Sequence, residues 1–322
     1  MSDARPSALW IAAPGKAELR EVEVEARVSE VEVKTLFSGI SRGTEALVLA
    51  GAVPEGEHAT MRAPFQDGEF TFPVKYGYAA VGEVQNTDRE GQIIFALFPH
   101  QTRFSVPSAA AFSLPANVPP ERAVLAANME TALNILWDAG AGPGDRIAVV
   151  GCGVVGALAG YLAARIPGAE VTLIDKNPAR EALARHLGCG FATPETPLED
   201  ADIVVHASAS EAGLSTAIEC AGLEATIVEA SWYGTRSTNV PLGGRFHQRR
   251  LRIVGSQVGR VPPHRAPRWD FGRRLTKAIS LLEDPRLDRL ISSESAFDAL
   301  PRDYAAVLAD PDTLCHRVRY AP

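Results

Sequence analysis

"RIAVVGCGVVGALAGYLAARIPGAEVTLIDKN", residues 146–177, decides the fold. Its first five residues, apolar after Arg146, read as a short strand buried on both faces. Gly151, Gly153 and Gly156 follow in G-x-G-x-x-G spacing, and "GALAGYLAARI" reads as a helix. A second strand, "EVTLID", ends in an acid, Asp175. Strand, glycine loop, helix, strand and terminal acid in that order form the pattern of a dinucleotide-binding β-α-β unit. Gly151 permits the tight turn, Gly153 lets the backbone approach a diphosphate, and Gly156 lets helix and strand pack closely. The N–H groups at the helix start, around Val155, meet phosphate oxygens at the favourable end of the helix dipole. Asp175 accepts hydrogen bonds from ribose hydroxyls and repels a 2′-phosphate, which favours NAD over NADP; the neighbouring Lys176 softens that preference. The alternative is a glycine-rich turn that binds nothing, and the flanking strands and acid argue against it.

Outward from this unit the alternation continues. "ADIVVHAS", "STAIECAG", "ATIVEASW" and "LRIVGS" alternate strands with helical segments, which predicts a parallel sheet covered on both faces. Upstream, "PPERAVLAANMETALNILWDAG" predicts one helix, with Pro119 and Pro120 near its start and Gly140 at its end. Before Pro120 the chain reads as strands and turns, as in "AELREVEVEARVSEVEVKTLFSGI". Residues 51–74 are polar and rich in Pro and Gly, a long excursion with the character of a lid or an interface arm. Downstream, "RRLTKAISLLED" is a last helix leading into a mixed tail.

Composition fits this. The 322 residues suit two domains, and 46% hydrophobic with 22% charged residues is an ordinary globular balance. A formal net charge of −7 without a basic footprint argues against nucleic-acid binding. No apolar run is long enough to span a membrane, and the N-terminal stretch lacks a secretory pattern, so a cytoplasmic location is expected. Cys152, Cys189, Cys220 and Cys315 form no C-x-x-C pair and read as buried small hydrophobes rather than zinc ligands or disulfides.

The layout resembles the medium-chain dehydrogenase/reductase family, over nearly the whole chain. "SGISRGTE" resembles the segment that usually carries a zinc cysteine. "YGYAAVGEV" is similar to G-H-E-x-x-G-x-V, with Gly77, Gly82 and Val84 kept, and "GQIIFALFPHQ" resembles the strand and pocket-lining segment that follow. "GPGDRIAVVGCGVVG" is similar to the entry to the nucleotide fold, and "LISSESAFDALPRDYAAVL" resembles the C-terminal segment. The resemblance implies an α/β fold: a GroES-like β domain (1–120), a Rossmann doubly wound parallel sheet domain (121–268), and a return to the first domain (269–322). It also implies a small-molecule substrate and a homo-oligomer, dimer or tetramer. The departures concern the metal. Ser41 replaces the cysteine, Tyr78 the histidine and Ala79 the glutamate, and the lobe for a structural zinc is missing; Glu130 alone resembles a carboxylate placed near the metal in sorbitol-type members. Hydroxyls are poor substitutes for thiolate and imidazole, so no zinc is expected. The "SGIS-x-G-T-E" variant is similar to a branch that includes bacteriochlorophyllide dehydrogenases.

Without a metal, hydrogen-bond donors must stabilise charge on a substrate oxygen and move the proton. Four residues are candidates. Thr44 resembles the family's relay hydroxyl, or else caps the helix after it. Tyr78 donates to a carbonyl or, with a lowered pKa, accepts from an alcohol; its alternative is a packed aromatic with a satisfied hydroxyl. His100 follows the pocket-lining strand, or is a surface-turn histidine. Glu45 orients a donor, or pairs with Arg42 and fixes the local fold. Lys75 is set aside, because strand residues three apart face opposite ways. On the cofactor side, Thr131 is placed near the nicotinamide by the resemblance, and Ala207, Ser208, Ser231 and Ser256 close strands at the carboxyl edge. The basic run 245–252 and Arg260 read as a solvated face and a loop arginine, with an anionic ligand as the alternative. The expected activity is hydride transfer between NAD(H) and a secondary alcohol or ketone. A quinone or enone reductase and a non-catalytic NAD-binding protein are the rivals.

Overall fold

The alternating valines of "EVEVKTLF" build the hub of a sheet. In the computed structural model, which describes residues 5–25, 29–85 and 87–321, the chain divides into two units. One is Met1–Ala127 with Leu275–Pro322, the other Asn128–Arg274.

The first unit opens with β1 (Ser7–Ala13), β2 (Lys16–Glu21) and β3 (Glu30–Ser41), which leads directly into α1 (Arg42–Leu49). Then come β4 (Asp67–Gly68), β5 (Val74–Lys75), β6 (Ala80–Gln85), β7 (Ile93–Ala96), β8 (Arg103–Pro107), β9 (Phe112–Ser113) and α2 (Pro120–Ala123). Along β3, Val31, Val33 and Thr35 share the buried face, as a period of two requires. Val33 pairs with Val84 of β6 on one side and Phe104 of β8 on the other, and these strands share one apolar core. The 51–74 excursion is partly packed: it holds the turn Glu55–Glu57 and β4, and it buries Val53 and Phe70. The single helix expected over 119–140 is two, α2 and α3 (Ala126–Ala139). Arg122 pins the short first piece separately, bonding Asp288 and the carbonyls of Leu282 and Glu283, and buried Val124 and Leu125 make the join.

The second unit contains β10 (Arg146–Val150), α4 (Val154–Ala163), β11 (Glu170–Ile174), α5 (Glu181–His186), β12 (Gly190–Ala192), β13 (Ala201–His206), α6 (Glu211–Cys220), β14 (Ala221–Glu229) and β15 (Arg252–Gly255). Among the described residues these strands form one parallel sheet in the order β12-β11-β10-β13-β14-β15. Renumbered from β10, that is the doubly wound 3-2-1-4-5-6 order, with the strand order reversing between β10 and β13. The apolar runs are buried as expected: Ala148, Val150, Ile174, Val204 and Ile227 sit in one core with Ala217 and Ile218 of α6.

From α7 (Phe271–Ser280) the chain returns to the first unit. The region read from sequence as a mixed tail contains β16 (Ile291–Ala296), α8 (Leu300–Ala309) and β17 (Cys315–Arg319). β17 lies antiparallel on β3, pairing Cys315 with Ser41 and Val318 with Ser38, and β16 adds to its other side. The four cysteines are buried and free. Among the described residues no helix is long and apolar enough to cross a membrane.

Candidate active site

In the first unit the site grows from the junction of β3 and α1. Helix α1 begins at Arg42, so Thr44 lies inside its first turn and is not its cap. Tyr78 is half-buried just before β6, with the hydroxyls of Ser41 and Thr44 near its phenol. Burial pushes the Tyr78 pKa up to about 12, against the opposite pull of those two hydroxyls and with help from the nearby Glu45 carboxylate. The raised value runs against the alternative in which a lowered pKa makes Tyr78 an acceptor.

Glu45 and His100 come together below this layer. Both are fully buried, so the surface-turn reading of His100 fails. Glu45 Oε1 accepts from the Ser41 backbone N–H at 2.7 Å. Its Oε2 lies 3.0 Å from His100 Nε2 and 2.6 Å from the hydroxyl of Tyr304 on α8. These partners, not Arg42, take the carboxylate. On the far side of the ring, His100 Nδ1 is 2.7 Å from Ser38 Oγ, which is 2.9 Å from the Tyr320 hydroxyl. With Nε2 protonated, the protons run one way: Tyr320 to Ser38, Ser38 to Nδ1, and Nε2–H to Glu45. Lys75 is buried elsewhere, 3.0 Å from Gln101 Oε1, where burial lowers its pKa against the pull of Asp67.

In the second unit the glycine loop has the shape its sequence predicts. Gly151 has φ +103°, a left-handed conformation that side-chain-bearing residues seldom adopt. A Cβ on Gly156 would lie 1.9 Å from the Gly151 carbonyl oxygen, so α4 packs onto the loop at a distance only glycine allows. A Cβ on Gly153, at the N-terminal cap of α4, would meet nothing within 4 Å. The space beside Gly153 is open where a diphosphate would meet the helix N–H groups, and the residues present fit a dinucleotide. Val155 is half-buried in the first turn, and Lys176 is exposed. Asp175 follows β11 directly, and its two oxygens accept from the N–H groups of Cys152, at 2.7 Å, and Asn177, at 2.9 Å. The acid therefore fixes the loop itself.

The other hydroxyls divide. Ala207 and Ser208 lie against the loop: a Cβ on Gly151 would be 2.8 Å from the Ser208 backbone nitrogen. The Ser208 side chain, however, is 2.7 Å from His206 Nε2, and Ser231 Oγ accepts from the Ala209 N–H. Ser256 donates to Asp138 at 2.6 Å and is not brought to the loop. Thr131 is half-buried on α3. Glu130 ion-pairs with the fully buried Arg274 at 2.9 Å, and Arg274 also bonds Asn134 and the carbonyls of Val258 and Arg260. That pairing commits the carboxylate to a structural cation. The basic run 245–252 is spent on its neighbours, with Arg245 on Glu219 and Arg250 on Glu224. Among the described residues no three His, Cys, Asp or Glu side chains gather to hold a metal ion. Sequence reading missed Tyr304, Tyr320, Ser38, Glu229 and His206; only the last carried a signal, a histidine ending an apolar strand beside alternating serines.

Solved structures cover essentially the whole chain. 2R,3R-butanediol dehydrogenase from Bacillus subtilis has a TM-score of 0.78 at 16% identity, covering 98% of this chain and 99% of its own. A zinc-binding-type dehydrogenase from Sinorhizobium meliloti, bound to NADP, has a TM-score of 0.77 at 18% identity, covering 98% and 100%. An alcohol dehydrogenase from Escherichia coli, complexed with NADH, has a TM-score of 0.74 at 16% identity, covering 98% and 99%. The fold is that of the medium-chain alcohol dehydrogenases. No family model matches the chain. Two curated proteins are similar in part: aliphatic (R)-hydroxynitrile lyase from Linum usitatissimum, 24% identical over 197 residues, and L-threonine 3-dehydrogenase from Bacillus velezensis, 28% identical over 145. These matches take in 55% and 44% of this chain, and they span 46% and 39% of the relatives' own lengths, less than half of each.

Proposed function

We propose that this chain is an oxidoreductase that uses a nicotinamide dinucleotide, NAD in preference to NADP, to interconvert a secondary alcohol and its ketone without a metal ion. The observation that carries the reading is the open cradle at Gly153, with Asp175 at the end of the neighbouring strand. Relatives of the same fold bind NADP or NADH, which supports the class of cofactor and leaves Asp175 as the argument for NAD. Against zinc stands the donor set. Ser41 and Tyr78 offer only neutral hydroxyls, and the carboxylates Glu45 and Glu130 are committed to His100 with Tyr304 and to Arg274. We extend the proposal to a branch of this fold without zinc ligands, similar to the bacteriochlorophyllide dehydrogenases, and to a homo-oligomer acting on a small molecule.

A bound nicotinamide supplies or accepts the hydride. Tyr78 donates a proton to the substrate oxygen as negative charge develops there, and the Ser41 and Thr44 hydroxyls stabilise the resulting phenolate. Glu45, through the Ser41 N–H and the Tyr304 hydroxyl, holds the β3–α1 corner that presents those hydroxyls. A phenol with a pKa of about 12 stays protonated at neutral pH and so is in the form that the reductive step needs. The same acid would protonate the enolate formed when hydride adds to an enone, so reduction of an activated double bond is the second reading. Absorbance of reduced nicotinamide, followed over panels of ketones and enones, separates the two; turnover abolished by a chelator and restored by zinc would overturn the metal-free mechanism.

A further inference from the structure

We propose that the Glu229–His206 pair positions the turn that receives the nicotinamide half of the dinucleotide. The inference rests on the dinucleotide reading above. His206 ends β13 and is fully buried; Glu229 ends β14 and is its register partner. His206 Nδ1 lies 2.7 Å from Glu229 Oε2, and its Nε2 lies 2.7 Å from Ser208 Oγ. Ser208 Oγ is 2.9 Å from Ser210 Oγ, which accepts from the Gly213 N–H at 3.1 Å and so caps α6. A single assignment of protons satisfies the chain. The Gly213 N–H donates to Ser210, Ser210 to Ser208, Ser208 to Nε2, and Nδ1–H to the Glu229 carboxylate. The other Glu229 oxygen accepts from the Ser231 N–H at 2.8 Å, and Ser231 Oγ accepts from the Ala209 N–H at 3.0 Å. Both turns at the ends of β13 and β14 are therefore fastened to the one His206–Glu229 hydrogen bond.

The shape held in this way is a strained one. Ala209 sits at φ +50°, in the left-handed region that a side chain disfavours. Gly213 lets α6 close over the turn, since a Cβ there would lie 2.0 Å from Ser208 Oγ. The Ser208 hydroxyl is drawn inward, and its backbone is pressed against Gly151. Strand order then assigns the ligand. Asp175, just after β11, lies to one side of β10 and takes the adenosine ribose; the glycine loop takes the diphosphate; the turn 207–210, after β13, lies to the other side and faces the remaining nucleotide half. His206 and Glu229 are positioning residues, acting through the turn.

The test compares two ligands on the whole protein: NADH, and ADP-ribose, which lacks the nicotinamide. In Ser208→Ala and in His206→Asn, which keeps an amide donor toward Glu229, the Kd for NADH should rise about tenfold, the loss of about one net hydrogen bond. The double variant should be no worse than either single one, because each breaks the same link, and the Kd for ADP-ribose should stay within about twofold of wild type. NADH binding unchanged in both single variants, additive losses in the double, or equal weakening of both ligands would overturn the proposal. Wild-type protein that binds neither ligand would overturn the dinucleotide reading itself, and this inference with it.

Discussion

Glu45→Ala gives the most direct measure of what the buried cluster does. The substitution removes the acceptor of three hydrogen bonds: from the Ser41 N–H, from His100 Nε2 and from the Tyr304 hydroxyl. All of these lie where water does not reach, since Glu45 and His100 are fully buried and Tyr304 is 1% exposed. A buried donor stripped of its partner costs about 1–3 kcal/mol. The vacated carboxylate leaves room for a water with polar partners, so the low end applies, about 1 kcal/mol for each donor and about 3 kcal/mol in all. For a unit of this size that corresponds to a fall of about 6–12 °C in melting temperature. Glu45→Gln keeps one acceptor oxygen but turns an N–H₂ toward other donors, and about half the loss is expected. Differential scanning calorimetry of the full chain reads both. Arg42→Ala serves as the control and should shift stability by no more than about 0.5 kcal/mol, as for ordinary surface changes. A Glu45→Ala protein melting within about 2 °C of wild type, or an Arg42→Ala loss equal to it, would show that the three hydrogen bonds do not hold this corner.

Gly153→Val places a side chain in the open space at the start of α4, so NADH affinity should fall by about tenfold or more while the melting temperature holds; equilibrium binding and a thermal melt check the pair. Tyr78→Phe should lower carbonyl reduction about 100-fold with cofactor affinity unchanged. Because the phenol titrates at about 12, the wild-type rate should show no ionisation of this acid below that pH, and a pH–rate profile tests it. Burial pushes the Glu229 carboxyl up, but the hydrogen bonds from His206 and Ser231 outweigh it and leave the pKa below its ordinary 4.5. Its stabilising effect is complete above pH 4.5 and is lost as pH falls through the folded-state value, so Glu229→Gln should flatten the acid limb of a stability–pH curve.

The parallel sheet was legible because its signals are local. Strands such as "RIAVV" and "ADIVVH" carry unbroken apolar runs, and the three glycines do their work within six residues of one another. The first unit was half legible: the alternation in β3 marks its buried face, but nothing in the tail announces β17 as its partner. The candidate site failed to show for the same reason. Tyr304 and Tyr320 stand 259 and 282 residues from Glu45 and Ser38, and no local pattern links them. Ser208, Ser231 and Ser256 were correctly placed at strand ends, yet side-chain direction is set by tertiary neighbours. His206 and Asp138 turn those hydroxyls inward or away.

The discontinuity of the first unit has a bearing on how the protein is made. Asn128–Arg274 is an unbroken stretch and can close its sheet while the ribosome is still reading downstream codons. The β3–α1 corner must wait: until residue 320 leaves the exit tunnel, Glu45 lacks Tyr304, Ser38 lacks Tyr320, and β3 has a bare edge open to other nascent chains. Slow synthesis through the 275–322 codons, or premature release within them, should therefore yield a well-formed nucleotide-binding half tethered to an aggregation-prone one.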